Sequence, residues 1–117
     1  MKKQFRILKN QEFQSILKKR KFISGLGTVL YYQPRALERA RVGITVSKKI
    51  GNAVVRNKIK RQIRMMCQTA LNFDEPYDVI IMVRSKYLEF SYQENLDNIL
   101  QQINKLDQQF NHRRKHD

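Results

Sequence analysis

The sequence is short of most of what a catalytic polypeptide needs. It has one cysteine, Cys67, which rules out an internal disulfide and leaves no disulfide partner to seek. A single thiol also suits a reducing cytosol. The only histidines, His112 and His116, stand near the end of the chain without a rigid scaffold or the partners of a zinc or acid–base site. The 10 acids are scattered, whereas a metal-dependent nuclease gathers carboxylates around two cations about 4 Å apart. There is no Gly-rich phosphate loop and no Ser/His/Asp arrangement. The longest apolar run, residues 79–83, is too short to cross a bilayer. Residues 1–6 have no apolar stretch behind them, so no signal peptide is expected and the protein is placed in the cytoplasm, away from membranes. Repeats and low-complexity linkers are missing too. One domain over residues 1–117 is expected, with a modest core and a frayed basic tail from about residue 112.

Positive charge is what the chain has in excess. Lys and Arg number 24 against 10 acids, a formal charge of +14. A small domain carries about 2–8 charges comfortably, so this surplus destabilises the compact state unless a polyanion relieves it. Nucleic acid is the natural candidate.

The charge is concentrated around residues 41–64. There Val42, Ile44 and Val46 alternate with Gly43 and Thr45, the period of a half-buried strand. Gly51 and Asn52 follow as turn formers. Beyond them Val55, Ile59, Ile63, Met66 and Ala70 fall within an arc of about 80° on a helix. Arg56, Lys60 and Arg64 form a ridge beside that stripe, and Asn57 and Arg61 form the next. No acid occurs between Glu38 and Asp74, so these cations have no carboxylate partner on their own helix. Like charges four residues apart repel by about 0.2–0.5 kcal/mol per pair. A helix face carrying that repulsion unrelieved is built for an anion, and the phosphates of a nucleic acid supply one.

Elsewhere, Asn10 is the expected N-cap of a first helix with Glu12 in its first turn and Phe13, Ile16 and Leu17 on its apolar side. Lys18, Lys19, Arg20 and Lys21 load its C-terminal end. Residues 21–33 read as extended, broken by Gly25 and Gly27. Within them residues 28–33 read as a strand with Val29 and Tyr31 on one face, ended by Pro34. This strand and the one at residues 42–46 are expected to pair as an antiparallel hairpin. Residues 77–83 read as a strand buried on both faces. Ser91 and Glu94 make a capping box for a last helix, with Leu96, Ile99, Leu100, Ile103, Leu106 and Phe110 turned inward. Cys67, beside the central stripe, is expected to be a small core residue.

The run from Val42 to Val54, followed by Arg56, Asn57, Lys60, Arg61 and Arg64, closely resembles the signature of the bacterial ribonuclease P protein component. The resemblance implies an α+β fold, a single-domain α-β-β-β-α-β-α sandwich with a central sheet. It also implies a left-handed βαβ crossover, where the general rule gives a right-handed one. It implies the protein subunit of an endoribonuclease whose RNA subunit is the catalyst, so no catalytic residue is expected in the polypeptide. The implied partners are that catalytic RNA and precursor tRNA, from which the 5′ leader is removed. Magnesium would be held mainly by the RNA subunit and substrate, with none bound by the polypeptide alone. By motif, Lys48, Lys49, Asn52, Arg56, Asn57, Lys60, Arg61 and Arg64 would face the catalytic RNA. Phe13, Leu17, Val29 and Tyr31 would hold the single-stranded leader, the aromatic rings by stacking. Leu17 stands where the family often carries a second aromatic, a departure that removes a ring.

Composition alone equally suits a structural ribosomal or general RNA-binding protein. A DNA-binding helix-turn-helix would need a second helix immediately before Ala53, where the sequence alternates like a strand. A membrane-surface helix would need a bulky aromatic face that the basic helix lacks.

Overall fold

Burial dictates the layout. A strand that is apolar on both sides needs cover on both faces, and β4 (Tyr77–Val83) is buried at almost every position. In the computed structural model, which describes residues 1–111, β4 lies inside a sheet of four strands. The others are β1 (Phe22–Ser24), β2 (Thr28–Pro34) and β3 (Val42–Val46), in the order β1-β2-β4-β3. β2 runs antiparallel to β4, and β3 runs parallel to it. The parallel pair is joined through α2 (Ala53–Ala70), the central helix of the sequence. With α1 (Asn10–Lys18) and α3 (Tyr92–Gln109) this makes one mixed α+β domain. The expected tail, with His112 and His116, lies outside the described residues.

The expected hairpin between β2 and β3 does not form, because β4 sits between them. The strand with most apolar surface takes the inner place, and the chain from β2 to β3 passes its N-terminal end. That passage is tied down by Arg35 N donating to Pro76 O (3.0 Å) and Ala40 N to Phe73 O (3.1 Å). The partner of β2 on its other side is β1, across the turn containing Gly25 and Gly27.

Each face of the sheet has its own core. On one, Leu30, Val42, Val79 and Ile81 meet Ile59, Ile63 and Met66 of α2 and Ile99, Ile103 and Leu106 of α3. Cys67 is buried in this layer, and burial pushes its thiol up to about 12. On the other face Ile16 of α1 packs with Ile7 and Ile80. The first nine residues, on which the sequence was silent, run beside β3: Ile7 N donates to Val42 O (2.9 Å), and Phe5 stacks on Phe73 with ring centroids 4.6 Å apart.

Two helical details differ from expectation. Lys9, not Asn10, precedes α1, and no side chain caps it; Asn10 is the first helical residue. In α3 the capping box of Ser91 and Glu94 is present, but Leu100 is exposed. Asn95, Gln102 and Asp107 are buried instead, and they serve as ties. Gln102 Nε2 donates to Ile23 O (2.9 Å) and Thr28 O (3.0 Å), and Tyr77 Oη donates to Asp107 Oδ1 (2.5 Å). Polar groups buried in this way are tolerated because their partners are at hand.

α1 is fixed to the sheet by charge as well as by apolar contact. Arg41 is buried and its Nη2 lies 2.7 Å from Glu12 Oε2 of α1 and 3.4 Å from Asp78 Oδ2 of β4. The Arg41 backbone N donates to Asp78 Oδ1 at 2.9 Å. Hydrogen bonding from Arg41 is the main reason the Glu12 carboxyl titrates below its ordinary 4.5. The contribution of Glu12 to stability is therefore present above that ordinary value and is lost as pH falls below it. Urea unfolding across pH tests this arrangement. Glu12→Gln should flatten the acid-side loss of stability relative to the parent chain. Arg41→Ala should cost about 3 kcal/mol at neutral pH, the lower end for a broken buried pair, because the backbone N–H still serves Asp78.

Candidate nucleic-acid interface

The basic face begins at the end of β3. Ser47 accepts from Lys49 N through Oγ (3.1 Å) and starts a short 3-10 turn, Lys48–Ile50, whose two lysines are exposed. Gly51 is extended, and its need is for space: a Cβ there would lie 2.9 Å from Val55 Cγ1. Asn52 was expected on the RNA-facing surface. It is exposed, but its Oδ1 accepts from Val55 N (3.0 Å) as the N-cap of α2, so its amide N–H groups and the second lone pair of Oδ1 remain to meet a ligand.

Along α2 the expected stripe turns inward, with Ile59, Ile63, Met66 and Ala70 buried. Asn57 and Arg61 are fully outward, while Arg56, Lys60 and Arg64 lie half-buried along the flank. Among the described residues the ion pairs are Arg35 with Asp74 and Arg41 with Glu12 and Asp78; none includes a cation of α2. The Nε atoms of Arg56 and Arg64 are shielded from solvent without a hydrogen-bond partner. The same holds for Nε of Arg41 on the other side of the sheet, so it is the absence of ion pairs on α2, among the described residues, that marks this flank.

The other set of candidates occupies the α1 side of the sheet. Phe13, Leu17, Val29 and Tyr31 are all half-buried there. Phe13, Leu17 and Tyr31 pack around the buried cluster of Ile7, Ile16 and Ile80; Val29 stands one cross-strand row further along. Strand register lines up Phe22, Tyr31, Ile80 and Gly43 as one row across the sheet. The ring of Phe13 rests over the Gly43 end of that row, where a Cβ would come within 2.6 Å of Phe13 Cζ. Glycine is there because the ring needs the room.

At the β3 edge of the sheet, beside residues 6–8, the two sets meet. Phe13, Gly43, Arg6, Lys60 and Arg64 line one pocket of about 150 Å³. The sequence suggested two separate surfaces, one on α2 and one on α1; the fold brings an aromatic from the second against cations of the first. Arg6 and Gly43 had not been singled out as site residues. Nothing in the periodicity of residues 1–9 could have placed Arg6, whereas Gly43 in the middle of a strand was itself a signal of close approach. Among the described residues no three His, Cys, Asp or Glu side chains come together to hold a metal ion. No helix among them is long and apolar enough to cross a membrane.

Comparison with known proteins points one way. The sequence profile of the family described as Ribonuclease P matches residues 1–107. The ribonuclease P protein component of Mesoplasma florum is 43% identical over 97 residues, covering 81% of this chain and 88% of that protein. That of Streptococcus agalactiae is 40% identical over 93 residues, covering 80% and 85%. Among solved structures, the RNase P protein of Staphylococcus aureus superposes with a TM-score of 0.79 at 32% identity, over 87% of this chain and 94% of that one.

The seat of Phe13 can be tested by filling it. Gly43→Ala should destabilise the fold by about 1–3 kcal/mol, the usual range for overpacking. Phe13→Leu in the same chain should recover part of that loss in urea unfolding, the sign of direct coupling. Additive losses would mean that the ring does not rest on Gly43.

Proposed function

The chain belongs to the ribonuclease P protein family, and we propose that it acts as the protein subunit of that ribonucleoprotein in removing the 5′ leader of precursor tRNA. In this reading α2 and the turn before it dock on the catalytic RNA, and the α1 side of the sheet holds the single-stranded leader. The observation that carries it is the flank of α2, where cations stand without carboxylate partners among the described residues and run into a pocket shared with Phe13.

The chemistry follows from the side chains. Arginine's planar fork grips a phosphate through two hydrogen bonds, which suits Arg56, Arg61 and Arg64. Asn57 both donates and accepts, as a 2′-hydroxyl or a base edge requires. Phe13 and Tyr31 give leader bases a stacking surface worth about 1–3 kcal/mol per base and indifferent to sequence. That tolerance suits a subunit that meets many different leaders. Hydrolysis belongs to the RNA, with magnesium held mainly by RNA and substrate, and the polypeptide supplies position and charge. The working compartment in this reading is the cytoplasm.

Reconstitution tests the docking face. Adding the chain to protein-free catalytic RNA should raise precursor cleavage at low magnesium. With Arg56, Lys60 and Arg64 all replaced by alanine, assembly should weaken and the salt slope flatten by about one unit per lost phosphate contact. An unchanged slope would remove the RNA-facing role.

The leader face has its own test. Tyr31→Ala should weaken binding of leader-bearing precursor more than that of mature tRNA. Equal losses would make Tyr31 purely structural.

A further inference from the structure

Phe22 has no part in the site described so far. It lies on the edge strand β1 with 49% of its surface exposed. Single exposed apolar residues are common and need no explanation. Phe22 is distinguished by its company. It pairs in register with Tyr31, and the two rings are tilted at 45° with centroids 5.4 Å apart. It therefore stands at one end of the row Phe22–Tyr31–Ile80–Gly43, on the face where Phe13 covers the other end. With strands about 4.8 Å apart, that row spans roughly 14 Å.

The edge is held firmly from behind. Ile23, between Phe22 and Ser24, is buried, and its carbonyl accepts from Gln102 of α3 at 2.9 Å. Asn98 of the same helix accepts from Leu26 N at 2.9 Å. A Cβ on Gly25 would collide with both Asn98 and Gln102, a measure of how closely this turn is drawn onto α3. The short strand thus presents its outward ring from a fixed backbone.

Charge is arranged beside the rings. Lys18, Lys19, Arg20 and Lys21 are all exposed, and the run leads straight into Phe22. Arg20 takes a left-handed conformation (φ 52°) that turns the chain from α1 into β1. Lys19 Nζ donates to Gln33 Oε1 (2.9 Å), two residues beyond Tyr31 on the same face of β2. Among the described residues none of the four forms an ion pair. Aromatic rings beside a basic track are the elements with which proteins hold single-stranded nucleic acid. A solvated lysine run alone would not need the rings, and an exposed ring on a sheet edge alone would be an aggregation liability.

We propose that Phe22 and Tyr31 form a two-ring stacking platform for single-stranded RNA, with the basic run of residues 18–21 neutralising its phosphates. The platform carries the leader path beyond Phe13 and Tyr31 to the β1 edge of the sheet. It supplies, on the neighbouring strand, a ring that Leu17 does not provide on α1. The proposal rests on the leader-binding reading given above, and the experiment separates the two.

The measurement uses the reconstituted ribonucleoprotein and precursor tRNAs with leaders of graded length, with 2-aminopurine placed at successive leader positions. Phe22→Ala should weaken binding of long-leader precursor about tenfold, within the range that one lost base stack allows. It should leave leaderless tRNA unchanged and should abolish fluorescence quenching at one or two positions distal to those that respond to Tyr31→Ala. Phe22→Leu, which keeps apolar cover on Tyr31, should unfold in urea like the parent chain and still lose the quenching. Phe22→Tyr should restore it. Unchanged long-leader affinity in Phe22→Ala, or an equal loss for leaderless tRNA, would overturn the platform. If Tyr31→Ala responds to the leader while Phe22→Ala does not, the extension alone fails; if neither responds, the leader-binding reading itself fails.

Discussion

The guanidinium of Arg41, lodged between Glu12 of α1 and Asp78 of β4, is the constraint on which the rest of this molecule depends. α1 is short, and beyond this link it is held to the sheet through a small apolar cluster centred on Ile16. Isolated helices of that length are marginal in water, so its position has to come from tertiary contacts. Buried ion pairs contribute little net stability once desolvation is counted, but a charge with partners on two elements fixes their separation. Asp78 also accepts from the backbone of Arg41 and Ala36, so the same carboxylate pins the passage between β2 and β3. The seating of α1 on the sheet, and with it the place of Phe13 over Gly43, is set in part by this knot of charge.

On the opposite side of the molecule the electrostatic logic is reversed. α2 keeps its cations apart from every carboxylate among the described residues. Its stability comes from the buried stripe, which leaves the flank free to be unfavourable on its own. A face of that kind gains most when a polyanion arrives, because the repulsion among its cations is relieved. The pocket at the β3 edge joins the two regimes, since Phe13 reaches it from the side that Arg41 holds and Lys60 and Arg64 from the side that no described carboxylate neutralises.

How much of this was readable beforehand follows the distinction between local and distant interactions. The stripe of α2, the doubly buried β4, the capping box of α3 and the burial of Cys67 all follow from period and spacing, and they are where the sequence put them. The expected RNA-facing and leader-facing residues lie exposed or half-buried on their respective surfaces, apart from the capping duty of Asn52. What periodicity could not reveal was pairing. The hairpin expected of β2 and β3 lost to β4, whose apolar surface demanded the centre. Nor does periodicity mark Arg41, Gln102 and Asp107 as buried, because their partners lie far away in the chain. Phe22 looked like part of an extended connection until register set it beside Tyr31.

The order of strands also governs how the chain is made. β4 is the last strand to leave the ribosome, yet it is the only one that touches both β2 and β3. Until it emerges, the earlier strands have no shared partner, and a nascent chain halted before Tyr77 carries bare ladder edges open to mispairing. The basic helix has by then already been synthesised. Translation therefore delivers this densely basic helix before the sheet beneath it can close, and any polyanion encountered at that moment meets a polypeptide still completing its fold.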